Sequence, residues 1–192
     1  MPRQKQRTPE LRDRLLHAAI DALDDSGVAG LTTRHVAQRA ATSVPAVYEL
    51  FGDKAGLVRE IFFEGFRRLG RRLTQVPDSA DARADLAEAI RVFRGFVQEN
   101  PVLVEVMFSR PFADFDPGPA ELAAGATVRE NITERVRRCV AEGELDGDPT
   151  DLGHILIALA QGLARQEVAG WLGNTPDSVD RRWATAFDRI LR

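Results

Sequence analysis

The sequence predicts an all-α protein with a small N-terminal domain and a larger helical C-terminal part. Apolar residues recur every three or four positions along most of the chain, which is the spacing of amphipathic helices. No segment shows the strict alternation of a half-buried strand. Residues 31–54 also combine caps, breakers and apolar positions in a pattern that predicts a helix-turn-helix, two short helices joined by a tight turn.

Composition limits the class of protein further. The chain has 192 residues, 44% hydrophobic and 29% charged, an ordinary balance for a globular protein in water. No stretch is apolar for long enough to span a membrane and no signal peptide is visible, so we expect a cytoplasmic protein without a membrane partner. The single cysteine, Cys139, excludes an intrachain disulfide. It lies in a helical pattern and is interpreted as a small buried apolar residue, with redox sensing as the alternative.

The chain begins with a polar, basic segment followed by a first helix. Residues 1–9 carry Arg3, Lys5 and Arg7 and have no apolar pattern. Such an arm can enter a nucleic-acid minor groove, and a merely solvated terminus explains it equally well. The helix is predicted from about Pro9 to Ser26 and ends at Gly27. Its inner face is formed by Leu11, Leu15, Ala19, Ala22 and Leu23.

Two short helices follow. Thr32 is a favourable N-cap for the first, in which Val36, Ala37 and Ala40 share one inward stripe. Residues 40–43 form the turn, after which Ser43 caps a second helix that ends near Leu50. Pro45 falls in the first turn of this helix, where a missing amide proton costs little.

Two cations lie where helix electrostatics disfavour them. Arg34 is in the first turn after Thr32, and Lys54 is in the first turn after Asp53. The positive end of a helix dipole repels cations but binds phosphate well. Arg34 and Lys54 therefore indicate a polyanionic binding partner, although two solvated surface charges would give the same pattern.

The segment LTTRHVAQRAATSVPAVYELFGDK resembles the DNA-binding domain of TetR/AcrR-type transcriptional repressors, and the resemblance extends from about Leu11 to Leu69. It includes the Tyr-x-x-Phe-x-x-Lys ending typical of that family, here Tyr48, Phe51 and Lys54. The resemblance implies that Thr33, Tyr48 and Lys54 hold DNA phosphates and that Arg34 reaches a base edge. It also implies that five consecutive residues face the major groove: Thr42, Ser43, Val44, Pro45 and Ala46.

Two residues depart from the family pattern, and one conflict arises with periodicity. The usual turn glycine is Ala41, which costs about 1 kcal/mol if its backbone is left-handed, and Leu50 replaces an aromatic residue or histidine. Periodicity would bury Val44, Val47, Tyr48 and Phe51 together. The resemblance instead buries Val47 and Phe51 and turns the other two toward DNA, and we expect that arrangement. The five residues expected to face the major groove carry few side-chain hydrogen-bond donors. We therefore expect few hydrogen bonds to bases and considerable recognition of the shape of the DNA duplex.

Charge is divided unevenly between the two parts of the chain. The net charge of −3 by itself disfavours a nucleic-acid partner. Residues 1–75, however, hold 13 Lys/Arg and 9 Asp/Glu, a balance of +4, whereas residues 76–192 hold 13 and 20, a balance of −7. A basic N-terminal part joined to an acidic remainder is consistent with a DNA-binding domain attached to a separate sensing or dimerising domain.

The rest of the chain reads as helix. A long connecting helix is predicted from Asp53 to about Thr74, and Pro77-Asp78-Ser79 marks a boundary. We therefore expect an arm and helix-turn-helix domain over residues 1–52, a connecting helix over 53–75 and a ligand-binding and dimerisation domain over 76–192. Further helices are predicted at about 82–99, 101–109, 120–141, 150–172 and 177–191, with a proline-rich loop at 110–119. Residues 100–108 and 160–163 are similar to a common TetR-type C-terminal domain.

One polar-to-small stripe interrupts the apolar helix at 150–172. His154, Ala158, Gln161 and Arg165 recur on one face, which favours a dimer interface, with a ligand-pocket lining as the alternative. Aromatic and methionine side chains elsewhere are candidates for inducer contact, although for any single one of them core packing is the favoured interpretation. They are Phe93, Phe96, Met107, Phe108, Phe112 and Phe115.

These features predict a ligand-responsive, homodimeric transcriptional repressor. It would bind a palindromic double-stranded DNA operator, dimerise through its C-terminal helices and be released by an unknown small-molecule inducer. A constitutive or partner-regulated helix-turn-helix protein without a ligand is the alternative, and an α-helical enzyme is a remote one. We found no glycine-rich phosphate loop, His-x-x-x-His pair or nucleophile elbow, so we expect no catalysis, no cofactor and no metal.

Overall fold

A computed structural model of the chain describes residues 8–109 and 118–190. Over these ranges the structure is helical and contains no strand, which confirms the predicted all-α class. None of the helices in the described ranges is long and apolar enough to cross a membrane. The ten helices within these ranges are α1 (Pro9–Gly30), α2 (Thr33–Arg39), α3 (Val44–Phe51), α4 (Lys54–Thr74), α5 (Ala82–Glu99), α6 (Pro101–Phe108), α7 (Pro119–Ala124), α8 (Ala126–Ala141), α9 (Pro149–Val168) and α10 (Pro176–Ile190).

The first helix is bent near its C-terminal end. Thr8 caps α1 by accepting a hydrogen bond from the amide of Leu11, at 3.3 Å. Regular helical geometry is interrupted at Gly27, where φ is 65° and ψ is −179°, and a short further turn ends at Gly30. The break therefore falls at the residue predicted to end the helix, because glycine adopts positive φ without a side-chain clash.

The chain packs into two compact units. The first comprises residues 8–66 together with 100–109 and 118–121. Its core contains Leu15, Leu23, Val36, Val47 and Ile61, none of which is exposed to solvent. Because α6 packs on α1, this unit includes a helix from outside the N-terminal sequence region.

Close approach between α4 and α6 accompanies that packing. A Cβ on Gly65 would lie 2.5 Å from Sδ of Met107. Beside it, the rings of Phe66 and Phe108 meet edge to face with centroids 5.3 Å apart, and the Phe62 ring lies 4.9 Å from that of Phe66. The absence of a side chain at Gly65 thus lets the two helices contact each other closely.

The second unit comprises residues 67–99 and 122–190. Within it α5 packs against α8 and α9, and α10 packs against α9. A carboxylate on α9, that of Glu167, accepts hydrogen bonds of 2.7–2.8 Å from Arg94, Gln98 and Trp183. The Arg94 guanidinium also lies over the Trp183 ring, 5.1 Å from its centroid. These contacts join α5, α9 and α10 through one charged group.

A second polar cluster joins α8 to the segment between α4 and α5. Arg135 is buried and donates to the carbonyl oxygen of Val76 at 2.7 Å and to Asp78 at 3.1 Å. The carboxylate of Asp85 accepts from the amide and hydroxyl of Ser79, both at 2.7 Å, and from Arg138 at 2.9 Å. The hydrogen bonds from Ser79 hold the pKa of the Asp85 carboxyl below its usual value.

Two sequence predictions need correction, and two others fall largely or wholly outside the described residues. The single helix expected at 120–141 is two, α7 and α8, which are separated at Gly125. The helix expected to reach Leu172 ends at Val168, because the chain turns at Gly170, where φ is 74°. Most of the loop expected at 110–119 lies outside the described residues, as do Arg3, Lys5 and Arg7 of the basic arm. The functional boundaries expected after residues 52 and 75 stay predictions.

Candidate DNA-binding surface

The first helix of the motif begins as its sequence requires. The hydroxyl of Thr32 accepts a hydrogen bond from the His35 amide at 3.1 Å and so caps α2. Val36, Ala37 and Ala40 are buried, which confirms the predicted inward stripe. On the opposite side Arg34 is exposed, and its side chain forms no hydrogen bond or ion pair with any residue in the described ranges. Its guanidinium is therefore available to an external partner.

The turn between α2 and α3 contains a strained residue. Ala41 has φ of 51°, in the left-handed region that disfavours a side chain. The turn is closed by two backbone hydrogen bonds, from the Ala41 amide to Gln38 at 3.2 Å and from the Thr42 amide to Ala37 at 2.9 Å. Ala41 thus has the left-handed backbone that the sequence comparison made conditional, at the position where the resemblance leads us to expect glycine.

The second helix of the motif presents a small, polar end to solvent. Ser43 is the N-cap of α3, as predicted, but its side chain forms no capping hydrogen bond, so that part of the prediction was wrong. The Ser43 side chain is exposed and uncommitted to the helix, and Pro45 follows it in the first turn. Pro45 is also exposed, whereas Thr42, Val44 and Ala46 are half-buried.

Burial along α3 follows the family pattern rather than simple periodicity. Val47 is fully buried and Phe51 is 7% exposed, whereas Tyr48 is 49% exposed and Val44 is half-buried. A helix of only eight residues is too short for periodicity to decide which face it buries. The periodic prediction that all four residues would share the core was therefore wrong.

The two helices meet at their exposed sides. The hydroxyl groups of Thr33 on α2 and Tyr48 on α3 lie 3.5 Å apart, at the limit of a hydrogen bond. Both hydroxyls remain accessible, because Tyr48 is exposed and Thr33 is half-buried. Two residues that the resemblance assigns to phosphate binding are thus brought together by the fold.

The connection from α3 to α4 positions Lys54. Gly52 turns the chain with φ of 78°, and Asp53 caps α4 by accepting from the Gly56 amide at 2.7 Å. The ammonium of Lys54 donates one hydrogen bond, at 3.2 Å, to the carbonyl oxygen of Val28. Lys54 is exposed, and two of its three donor positions remain for another partner.

Sequence reasoning missed the tight contact at Gly56. A Cβ at this position would overlap the carbonyl oxygen of Phe51. Only glycine therefore permits the observed approach of α4 to the end of α3. A signal was present, because glycine in the first turn of a long helix is unfavourable unless packing requires it.

Sequence reasoning also missed the ion pairs that brace the motif. Arg12 on α1 contacts Glu60 on α4 at 2.5 Å and lies 5.6 Å from the centroid of the Phe51 ring. Arg39 at the end of α2 pairs with Asp25 on α1. These pairs link elements that are far apart in the chain, so no local sequence pattern predicts them.

The stripe expected on α9 lies on an accessible face. His154, Ala158 and Arg165 are exposed and Gln161 is half-buried. Beside them Ile155 is 51% exposed, and a Cβ at Gly162 would meet no atom within 4 Å. Farther along the chain Val168 and Trp171 are exposed as well. This half of α9 offers apolar surface that its own unit leaves uncovered.

The residues expected to contact an inducer do not all lie in one unit. Phe93 and Phe96 are buried on the inner face of α5 in the second unit, where the Arg72 guanidinium lies 5.3 Å from the Phe96 ring centroid. Met107 is buried and Phe108 is half-buried on α6 in the first unit. The remaining two, Phe112 and Phe115, lie outside the described residues.

Cys139 is buried within α8, as expected, and has no disulfide partner. Burial, with a further contribution from the charge of Glu142, raises the pKa of its thiol. A thiol that is harder to ionise is less reactive toward oxidants. The geometry therefore favours the packing role over the redox alternative.

Comparison with known sequence families identifies both parts of the chain. Residues 15–61 match the profile described as bacterial regulatory proteins, tetR family. Residues 86–190 match the profile described as tetracyclin repressor-like, C-terminal domain. A search of curated proteins returns no significant sequence match.

Solved structures with the same fold cover almost the whole chain. A protein of unknown function from Rhodococcus sp. RHA1 is 24% identical and covers 99% of this chain and 100% of its own, with a TM-score of 0.82. The TetR family transcriptional regulator PfmR from Thermus thermophilus is 21% identical over 94% and 98%, with a TM-score of 0.71. A bacterial regulatory protein in the tetR family from Rhodococcus RHA1 is 18% identical over 96% and 98%, with a TM-score of 0.70.

Proposed function

Because the chain belongs to the TetR family of transcriptional regulators and carries its helix-turn-helix, we propose that it is a homodimeric repressor released from its operator by a small-molecule inducer. One observation carries the DNA-binding part of the proposal. Arg34, Thr33, Tyr48 and Lys54 are accessible donors on α2, α3 and the start of α4, within one compact unit. The proposal assigns the protein no catalytic activity, and its DNA target implies a cytoplasmic location.

The accessible donors suit different roles at a DNA surface. The hydroxyls of Thr33 and Tyr48 and the ammonium of Lys54 are suited to phosphates, which carry most of the affinity. Arg34 has an unoccupied guanidinium on the first turn of α2, and arginine can form two hydrogen bonds to a guanine edge. Phosphate contacts fix the position of the protein along the duplex but do not distinguish base sequences. The proposal therefore assigns sequence discrimination to Arg34.

The start of α3 is the part that would enter the major groove. It offers Thr42, Ser43, Val44, Pro45 and Ala46, of which only the first two carry side-chain hydroxyls. The Ser43 hydroxyl is not used as a cap and can donate to a base or phosphate. Methyl and methylene groups of the other three residues fit thymine methyl groups. We therefore expect an operator recognised by few base hydrogen bonds and by the shape of the duplex.

Dimerisation through the C-terminal helices is supported by the exposed face of α9. Ile155, Ala158, Gly162 and Arg165 follow one another at helical spacing and are all exposed. Small and apolar residues on one helix face allow the same face of a second copy to approach, as a two-fold interface requires. Two copies would then present two motifs to operator halves whose centres lie about one helical turn apart.

Induction would follow from unequal affinity of the ligand for two spacings of the DNA-binding domains. Membership of the family supports an inducer site among the C-terminal helices. Of the candidate contacts, Phe93 and Phe96 lie on α5 in the unit that contains most of these helices. Met107 and Phe108 on α6 belong to the same unit as the motif, where α6 packs on α1. Ligand contacts on α6 would thus act directly on the DNA-binding unit.

The proposal is tested by selecting tightly bound DNA from random fragments at physiological salt. We expect one short palindrome to be recovered by the native chain. Enrichment of that palindrome among the tightly bound fragments should fall sharply for Arg34→Ala and for Lys54→Ala but persist for Arg137→Ala, which removes an exposed arginine paired with the neighbouring Glu134. Recovery of the same site by all four chains, or of no site by any, would contradict the proposal.

A further inference from the structure

We propose that the first unit contains a second small-molecule site, a groove beside Lys54 that binds a zwitterion. The groove is open to solvent, has a volume of about 630 Å³ and is lined by residues 26–29 of α1, Lys54 and Ala55 of α4, and Glu105 of α6. All of these residues belong to the same compact unit. Its volume is within the range of about 300–1,000 Å³ typical of small-ligand sites.

The bend of α1 forms one wall of the groove. At Gly27 the helix is interrupted by a positive φ, and a Cβ there would meet nothing within 4 Å. Ser26 donates its hydroxyl proton to the Ala22 carbonyl at 2.6 Å, which leaves its oxygen free to accept. The side chains of Val28, Ala29 and Ala55 add small apolar surface. This wall suits a short hydrocarbon segment.

Opposite charges from two helices line the same groove without neutralising each other. Lys54 on α4 uses one donor position on the Val28 carbonyl at 3.2 Å. Glu105 on α6 is exposed, and its carboxylate forms no hydrogen bond or ion pair in the described part of the chain. No ion pair joins the two within these residues, so their charged atoms are more than 4 Å apart. Neither charge is therefore neutralised by the other, and both remain available to the opposite charges of a ligand.

The chemistry of the lining determines the ligand class. An anionic carboxylate or phosphate group is complementary to the remaining donors of Lys54, and a primary ammonium is complementary to Glu105. The two groups would be joined by a short aliphatic segment against Val28, Ala29 and Ala55. An ω-amino acid of suitable length is the simplest molecule of this kind.

A regulatory consequence follows, which rests on the proposed function. Lys54 is a proposed phosphate contact, so an anion bound in the groove competes with DNA for the same ammonium. By linkage, the ligand weakens DNA binding by the factor by which DNA weakens ligand binding. The groove would be an induction site inside the DNA-binding unit, separate from the site proposed among the C-terminal helices.

Binding is tested by titrating the ¹⁵N-labelled full chain, without DNA, with unbranched ω-amino acids of increasing chain length. We expect saturable shifts of the amides at residues 26–29, 54 and 55 at one preferred length. The alkyl amine and the alkyl carboxylate of that length, each with one charge, should bind more weakly. Glu105→Gln should weaken binding about tenfold, which corresponds to about 1.4 kcal/mol. Glu130→Gln is the matched control, because Glu130 is an exposed glutamate on α8 in the other unit.

A shorter acidic side chain at position 105 should change which ligand is preferred. Such a change in preference cannot be explained by a loss of folding. In Glu105→Asp the carboxylate recedes by one methylene, so the preferred ω-amino acid should lengthen by one methylene. Absence of saturable shifts at every length, equal binding of the singly charged compounds, or an unchanged preference in Glu105→Asp would each overturn the site.

A separate titration tests the regulatory consequence. With the zwitterion at about ten times its own dissociation constant, strict competition raises the apparent operator Kd about tenfold. An unchanged operator Kd despite amide shifts would overturn the competition with DNA. Because the amide shifts are measured without DNA, failure of the groove and failure of the proposed DNA-binding function give different results.

Discussion

Ala41 occupies a backbone conformation that its methyl group opposes. With φ of 51° it lies in the left-handed region, which costs an L-residue about 1–2 kcal/mol. Ala41→Gly removes this strain but adds freedom to the unfolded chain, which offsets about 0.4–1 kcal/mol. We therefore expect Ala41→Gly to raise the free energy of unfolding by about 0.5–1 kcal/mol, measured by urea denaturation.

The matched control for Ala41 is an alanine inside a regular helix. Ala87 is exposed on α5, where glycine costs about 1 kcal/mol relative to alanine. A rise in the free energy of unfolding for Ala41→Gly together with a fall for Ala87→Gly would identify strain in the turn. A loss of stability in both variants would contradict the left-handed assignment.

The contribution of Glu167 to the free energy of unfolding is expected to depend on pH. Burial tends to raise the pKa of its carboxyl, but hydrogen bonds from Arg94, Gln98 and Trp183 outweigh burial, and the pKa is lowered in the folded protein. A carboxyl whose folded pKa is depressed stabilises the fold above its unfolded pKa. That contribution is lost as pH falls through the folded pKa.

We therefore expect Glu167→Gln to destabilise the protein by about 2 kcal/mol at pH 7, and by less as pH falls below about 4.5, the ordinary glutamate value. Denaturant unfolding at several pH values measures the difference. Glu134→Gln is the control, since that exposed pair with Arg137 should contribute less than about 1 kcal/mol. A Glu167→Gln effect that does not change with pH would contradict the charged network.

At the scale of single residues, local chemistry was predictable and distant pairing was not. Thr32 was identified as a cap because the donor it satisfies lies three residues away. The resemblance correctly separated buried Val47 from exposed Tyr48. Arg94 and Glu167, however, are 73 positions apart, and nothing in either neighbourhood indicates the other.

The junction of α3 and α4 depends on one glycine. Since a Cβ at Gly56 would overlap the backbone carbonyl of Phe51, Gly56→Ala must displace backbone rather than a flexible side chain. We expect a loss of about 2 kcal/mol or more in unfolding free energy. Operator affinity should also fall, because Lys54 lies two residues away in the same turn of α4.

Gly95→Ala provides the control for this substitution. Gly95 also lies within a long helix, α5, but a Cβ there would meet nothing within 4 Å. Alanine at that position should stabilise by up to about 1 kcal/mol. If calorimetry found both glycine substitutions stabilising, the close approach at Gly56 would be wrong.

At the scale of elements, the number and extent of most helices followed from periodicity and breakers. The helix ends were less predictable where apolar residues continue past the break. Trp171 and Leu172 extend the apolar pattern of α9, yet both amides bond back to the Gln166 carbonyl after the turn at Gly170. The glycine was the correct signal for the end of the helix. Similarly, Gly125 separates α7 from α8 within a sequence that reads as one helix.

At the scale of the whole molecule, the proposed dimer predicts that a charge on α9 separates the subunits. Ile155→Asp places a carboxylate on the exposed apolar face, where two copies would bring like charges together. Sedimentation should then show a monomer, and operator affinity should fall by about tenfold or more because two motifs no longer act together. Ala87→Asp, on an exposed position of α5, should leave the dimer intact. If the Ile155→Asp variant remained a dimer, the interface would lie elsewhere than on this face of α9.

The grouping of elements into two units was not visible in the sequence. The predicted boundaries divide the chain in order, whereas α6 packs on α1 and belongs with the motif. Contacts of Gly65 and Phe66 on α4 with α6 add to this association, and their partners are about 40 residues away along the chain. The groove beside Lys54 arises in the same way, because Glu105 reaches it from α6.

The most direct test of the central claim, that α2, α3 and the start of α4 bind DNA, is the salt dependence of affinity for the selected operator. Fluorescence anisotropy would follow the native chain and Lys54→Ala between about 50 and 200 mM salt. Loss of one phosphate contact should lower affinity and make the log–log slope shallower by about 0.9. Discrimination between the operator and base-substituted sites should be preserved in Lys54→Ala. An identical slope in both chains, or native binding that does not respond to salt, would contradict the account.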